Sequence, residues 1–285
     1  MTVKIVTDST ADLPTKLAEG LGIIVVPVYL RFGDRVYRDR VDIGEDEFYY
    51  RLLHDPIHPN TTQPTPQDFT DVYQKLSKEA AGIVSIHVTS KLSGTYNSAL
   101  QGKQLVKDAC PIEVIDSQTV SMAMGMIAIA AAKIANSGRS QEQVVAEVRR
   151  IIPQVNILIL FDTLKYLAKG GRIGKAKELL SSVLNVKPLL SIKDGELVPV
   201  GQVRTRSQGI QRLFEVVKKN NNNIQDLSII YSTSLDDARI LVQYIDSVFS
   251  KEEIRLARAG PALGVHAGPG ALAIGFRNKR SISPI

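Results

Sequence analysis

The segment Thr89-Ser90-Lys91-Leu92-Ser93-Gly94-Thr95-Tyr96-Asn97-Ser98-Ala99 puts five serine and threonine hydroxyls and a glycine between an apolar strand pattern, Ile83–Val88, and a helical pattern. A helix N-terminus leaves backbone N–H groups unpaired and carries the positive end of the helix dipole, so such a junction can receive an anion. Gly94 lets the main chain approach closely, and the hydroxyls can donate without adding charge. Ordinary N-capping by Ser93 or Thr95 is the other reading of the same residues. Two more strand patterns end in polar groups, Thr7-Asp8-Ser9-Thr10 and Asp116-Ser117-Gln118-Thr119. Ligands of open parallel sheets sit beyond the C-terminal strand ends, where Ser9, Ser90 to Thr95 and Ser117 would fall on one edge. Asp8 and Asp116 can instead cap the helices that follow them.

Further along, Asn60-Thr61-Thr62-Gln63-Pro64-Thr65 reads as a loop stiffened by Pro64 and Pro66, able to hold Thr61 and Thr62 in fixed directions. His266 sits in Gly264-Val265-His266-Ala267-Gly268-Pro269-Gly270, a glycine-rich turn expected near the surface, where an imidazole can donate a hydrogen bond or shuttle a proton. A Ser93–His266 nucleophile–base pair, and with it a serine esterase, is the alternative chemistry, although no Gly-x-Ser-x-Gly frame or orienting carboxylate accompanies it. Lys169-Gly170-Gly171-Arg172-Ile173-Gly174-Lys175 looks like a phosphate loop but has Ala176 where magnesium needs a Ser or Thr. Arg172 between glycines still suits a bidentate grip on a phosphate or carboxylate, with Arg204 and Arg206 as weaker candidates. His54 and His58 have the spacing of a metal-binding helix, but Pro56 breaks it, so no metal site is expected.

These residues need a scaffold, and a chain of 285 residues with 44% hydrophobic content is long enough for two domains with a large core. The longest apolar run, Met122–Ala132, is about half of a membrane span and rich in Ala, Gly and Met, which suits a closely packed buried helix. One cysteine, Cys110, and a start that enters a strand pattern at once point to a reducing cytoplasm. Residues 1–156 carry 16 basic and 18 acidic side chains and residues 157–285 carry 19 and 11, so the second half is basic. With no Trp and no recognition-helix or zinc-finger signature, nucleic acid is not the expected partner.

Strand patterns at Lys4–Thr7, Ile23–Val26, Ile83–Val88 and Glu113–Asp116, with Ile157–Phe161 as a fifth, alternate with helical ones at 14–20, 45–53, 66–79, 96–107, 120–136 and 141–152. That alternation predicts an N-terminal α/β domain with a largely parallel sheet over 1–156. Val28–Asp39 interrupts it as a β-hairpin. Beyond, helices at 164–169, 176–184, 208–218 and 235–249 mix with a hairpin over Lys187–Val203 and strands at 227–232, 254–258 and 272–276. Strands that follow one another without a helix predict an α+β domain with a mixed sheet over 157–285.

The same pieces, in this order, resemble the DegV family along essentially the whole chain. The matching residues are 6–14 (VTDSTADLP), Thr61-Thr62-Gln63-Pro64, 90–99 (SKLSGTYNSA), Asp116-Ser117, 167–173 (LAKGGRI) and His266-Ala267-Gly268-Pro269-Gly270. The resemblance implies a non-enzymatic carrier that encloses a long-chain fatty acid between its two domains, with no cofactor beyond that ligand. It further implies a fatty-acid kinase subunit as partner, to which the carboxylate is presented for acyl-phosphate formation, and is compatible with transient contact with a membrane surface. By matching position, Thr61, Ser93 and His266 would bind the carboxylate, Thr62, Gly94, Thr95 and Ser117 would support them, and Arg172 would lie by the exposed head group and the kinase. Thr62 stands where the family commonly has Ser, and Ala267 where Val or Thr is usual; both are conservative changes.

Overall fold

The computed structural model describes residues 2–107, 110–180 and 186–279. The chain begins with β1 (Thr2–Asp8), α1 (Thr15–Leu21) and β2 (Ile23–Val26), then a hairpin of β3 (Tyr29–Phe32) and β4 (Arg35–Arg38). It continues through α2 (Glu45–His54), β5 (Asn60–Thr62), α3 (Pro66–Leu76), β6 (Ala80–His87), α4 (Thr95–Leu105) and β7 (Ile112–Asp116) to α5 (Ser121–Asn136) and α6 (Gln141–Ile151). After β8 (Val155–Leu160) come α7 (Lys165–Lys169), β9 (Lys187–Lys193), β10 (Glu196–Val203) and α8 (Arg206–Asn220). The described chain closes with β11 (Ile224–Tyr231), α9 (Leu235–Ile245), β12 (Ile254–Arg258), α10 (Pro261–Ala267) and β13 (Leu272–Asn278).

The first sheet is all parallel, in the order β2-β1-β6-β7. The order in which the chain adds strands reverses between β1 and β6, so the C-terminal ends of those two strands flank a topological switch point. Both faces are covered, as parallel strands require. Alternate residues go to opposite sides: Ile5 and Val84 pack on α5, while Val6 and Ile83 pack with Phe69 and Tyr73 of α3. The second sheet runs β10-β9-β8-β13-β11-β12, antiparallel except for β11 with β12. Its outer face (Leu158, Leu160, Leu227, Ile229) meets α8 and α9. Its inner face (Ile157, Ile230, Ala257, Ala273) joins the α5 core.

Helix α5 therefore lies between the sheets, buried at 13 of its 16 positions. Gly125 shows how close the packing is: a Cβ there would stand 2.8 Å from the Ala11 carbonyl. The fold is thus α/β with a parallel sheet followed by an α+β part with a mixed sheet, whose six strands all lie from Val155 onward. Ile157–Phe161 belongs to this second sheet as β8, not to the first.

Local signals set most boundaries. Thr65 accepts from the Asp68 N–H while Asp68 accepts from the Thr65 N–H, a capping box reinforced by Pro66 at the first helical position. Thr205 and Gln208 form the same box, which starts α8 at Arg206, two residues before the expected start. Asn60–Thr62 is not a loop but a short strand, because it pairs with β3 at the edge of the Val28–Asp39 hairpin. The expected helix over 176–184 is a 3₁₀ helix over Gly174–Leu180, and residues 181–185 lie outside the described residues. Among the described residues no helix is long and apolar enough to cross a membrane.

Candidate functional site

The polar cluster starts at the switch point. Asp8 at the end of β1 accepts from the Thr10 N–H and hydroxyl, from the Val88 N–H and from His87 Nδ1 at 3.0 Å. His87 Nε2 meets Ser85 Oγ at 2.7 Å, and the Tyr73 hydroxyl donates to that same oxygen. This Asp–His–Ser chain has the connectivity of a hydrolase triad, but Asp8, His87 and Ser85 are all wholly buried, so no substrate reaches Ser85. Its effect is to tie the ends of β1 and β6 together and to fix Thr10 and Val88, which line a cavity just beyond.

That cavity holds about 1000 Å³ of atom-free space, the open solvent at its mouth included. Its floor is the inner face of the second sheet: Ile157 and Ile159 of β8 with Phe161 just past it, Ala273 of β13 with Ala271 just before it, and Ile230 of β11. Val28, Val88, Leu92 and Val120 face it from the strand ends of the first sheet, and Ala262 and Leu263 of α10 cover it.

Thr61, Ser93, His266 and Arg172 all line this cavity, although they lie far apart in sequence. Thr61 Oγ1 is 2.9 Å from His266 Nε2, and Ser93 Oγ is 2.9 Å from Thr95 Oγ1. Ser93 also accepts from the Thr95 N–H within its turn, but the N-cap of α4 is Gly94 and no side chain caps that helix, so neither Ser93 nor Thr95 is its N-cap. Arg172 donates to the Leu92 carbonyl at 3.2 Å and the Gly170 carbonyl at 2.8 Å, which staples the Ser93 loop to the turn beneath His266. Arg172 and Ser93 also line a shallow outer groove with Ser90 and Gly174, so they stand where the cavity wall meets the surface.

His266 departs from expectation. It is not in a surface turn but in the last turn of α10, which Gly260 and Pro261 open and in which Gly264 leaves room for Phe48, whose ring a Cβ would approach to 2.4 Å. Burial, then the Arg172 charge and His58, push the His266 imidazole down to about 4, so it is neutral at pH 7. Its Nδ1 is buried and without a partner. Ser93 and His266 each hydrogen-bond elsewhere, and among the described residues no carboxylate orients the imidazole, so the pair is not arranged as nucleophile and base.

The supporting residues divide. Thr95 is buried behind Ser93, and Gly94 packs on Gln63, whose amide a Cβ at 94 would approach to 2.8 Å. Thr62 is exposed and does not line the cavity, because side chains alternate along β5 and Thr61 takes the inward position. Ser117 also does not line it; its hydroxyl donates to the Thr119 carbonyl within its own turn. Arg206 is held by Asp237 and the Gly270 carbonyl, and Arg204 lies in a separate groove with Gln208 and Arg212. Gln63, Thr10, Ser121 and Ser232 line the cavity without having been anticipated.

Gly170 has an ordinary φ, yet a Cβ there would stand 2.2 Å from His266 Nδ1. Gly170→Ala should therefore turn the ring out of its slot and break its bond to Thr61. Histidine NMR reads this directly: the His266 midpoint should climb from about 4 toward the ordinary 6.5. An unchanged midpoint would show that the slot is looser than the geometry implies.

The family model for DegV, described as an uncharacterised protein family, matches residues 2–279. A DegV domain-containing protein of Caldanaerobacter subterraneus subsp. tengcongensis is 34% identical over 279 residues, covering 97% of this chain and 99% of the relative. Among solved structures, a DegV family protein from Thermus thermophilus described for its fatty-acid binding superposes with a TM-score of 0.90 at 31% identity, covering 98% of this chain and 100% of that one. A stearic acid-binding protein from Eubacterium ventriosum gives 0.88 at 30% identity, covering 97% and 98%. With a match of this extent in sequence and in fold, the chain belongs to the DegV family.

Proposed function

We propose that this protein is a cytoplasmic carrier that holds a long-chain fatty acid in the cavity between an N-terminal domain (1–156) and a C-terminal domain (157–285). The observation that carries the reading is an apolar cavity whose floor is Ile, Phe and Ala, with Thr61, Ser93, His266 and Arg172 gathered on its wall and Ser93 and Arg172 reaching the outer groove. A carboxylate fits those groups because hydroxyls and a neutral imidazole donate to it without burying a full counter-charge, whose desolvation is costly. The tail supplies the affinity: at about 0.8 kcal/mol per buried CH₂, a chain of about 16 carbons contributes on the order of 10 kcal/mol before association losses. Fatty-acid binding in relatives with the same fold supports the same reading. No cofactor and no catalysis are needed.

Denaturing extraction of the purified protein followed by mass spectrometry tests this. The expected result is about one long-chain fatty acid per chain. A lipid-free protein that also fails to take up palmitate or oleate would refute it, and covalent labelling of Ser93 by a fluorophosphonate with ester turnover would make it an esterase instead. Ser93→Ala and Thr61→Ala should each weaken binding by about 1–3 kcal/mol, the cost of leaving an acceptor unsatisfied.

We infer further that the carboxylate is presented to a kinase subunit at the outer groove, where Arg172 can steady an added phosphate. Because Arg172 also holds the Leu92 and Gly170 carbonyls, its removal loosens the site, so acyl-phosphate formation by Arg172→Ala has to be compared at saturating fatty acid.

A further inference from the structure

On the cavity floor, away from the Thr61–His266 pair, one wholly buried hydroxyl among the described residues has no partner. Ser232, just past β11, is wholly buried and lines the cavity, and its Oγ has no partner. The hydroxyls of Thr10, Thr61, Ser93 and Ser121, which line the same cavity, are all engaged: on Asp8, His266, Thr95 and Asp12 respectively. The backbone of Ser232 is also used, its N–H on the Ala271 carbonyl and its carbonyl on Arg258 Nε. Its flanking neighbours across the sheet are Ala271 and Ala259, which offer no polar side-chain atom to the hydroxyl.

An alkyl chain laid over this point leaves a buried donor and acceptor unpaired under hydrocarbon, a cost that a methyl or hydrogen in place of the hydroxyl would avoid and that an oxygen on the chain would relieve. Ser232 is therefore a poor choice for a wholly unsubstituted tail and a good one for a tail that carries an oxygen. We propose that Ser232 is a specificity-determining residue that selects a hydroxylated long-chain fatty acid, with the chain hydroxyl paired to its Oγ. This rests on the carrier reading above and narrows its ligand class. Since the carboxylate end is fixed near Thr61 and Ser93, only a hydroxyl at one range of carbons can reach Ser232, so the selection should be positional.

The test compares dissociation constants of stearate and of a positional series of hydroxystearates (8-, 10- and 12-hydroxy) for the wild type, Ser232→Ala and Ser232→Thr. In the wild type one isomer should bind about tenfold more tightly than the others. In Ser232→Ala that preference should vanish while stearate binds about two- to threefold more tightly, and Ser232→Thr, which keeps a hydroxyl, should retain it. A flat series in the wild type, or a preferred isomer that persists in Ser232→Ala, overturns the proposal while stearate binding leaves the carrier reading intact. Failure to bind stearate and every hydroxystearate overturns both.

Discussion

Ala273→Phe should abolish most of the fatty-acid affinity and leave the protein folded. Ala273 sits at the centre of the floor, in register with Ile159 on one side and Ile230 on the other, and all three line the cavity. A phenyl ring projecting from this point occupies the path of the tail. If it excludes about four methylenes, the loss is roughly 3 kcal/mol at about 0.8 kcal/mol each, more than a hundredfold in dissociation constant. Overpacking a filled core usually costs about 1–3 kcal/mol, but here the ring enters existing space, so the melting temperature should fall little. Titration with palmitate beside a thermal melt separates the cases. Wild-type affinity with normal stability would place the tail elsewhere, and a collapsed melting temperature would mean that the cavity is not open at this point.

The second large effect concerns a buried carboxyl behind the cavity wall. Asp39 follows the β3–β4 hairpin, is 1% exposed, and has one oxygen without a partner while the other accepts a long bond from the Ala262 N–H of α10. Burial, only partly opposed by the Ser9 hydroxyl and the Arg40 guanidinium, pushes it up from 3.8 to about 7. The folded state thus holds a proton between these two values that the unfolded chain has released. Stability contributed through this group is greatest below about pH 4, declines as pH rises, and is lost once the pH passes about 7. With a shift of about three units the swing is on the order of 4 kcal/mol. Denaturant unfolding from pH 4 to pH 8 should therefore show a decline with pH in the wild type that is absent in Asp39→Asn, other groups being common to both. Parallel pH profiles for the two proteins would mean that Asp39 is ionised in the folded state at neutral pH, held there by Arg40.

Much of the architecture could be read from the chain because local and tertiary preferences agree there. Ile23–Val26 and Ile254–Arg258 are strands over the expected ranges, and the Lys187–Val203 hairpin turns at Asp194-Gly195 with φ of 51° and 81°, as a tight β-turn between strands demands. The apolar run of α5 signalled a buried helix, and its burial on nearly every side follows from its place between two sheets. Thr61, Ser93, His266 and Arg172 were legible as types that can hold an anion, and the fold brings all four to one cavity wall.

What was not legible depends on long-range pairing. Asn60–Thr62 has no strand pattern of its own and becomes one by pairing with β3, which also decides that Thr61 faces inward and Thr62 outward. Gly264 hides α10, since glycine disfavours a helix interior unless, as here, aromatic rings need its space. The floor residues Ala273 and Ile230 read as ordinary strand positions, and Ala271 falls just before the expected strand. Only the cavity that the assembled fold leaves over them sets them apart. The Asp8–His87–Ser85–Tyr73 chain carries a faint signal, the i, i+2 spacing of Ser85 and His87 on a buried strand, but its partners come from β1 and α3.

A crystal structure of the protein with palmitate addresses the central claim most directly. The account predicts one continuous tail over Ala271 and Ala273 between the two sheets, with the carboxylate within hydrogen-bond distance of the Thr61 and Ser93 hydroxyls and close to His266. Palmitate bound outside this cavity, or lying in it with the carboxylate turned away from Thr61, Ser93 and His266, would contradict it.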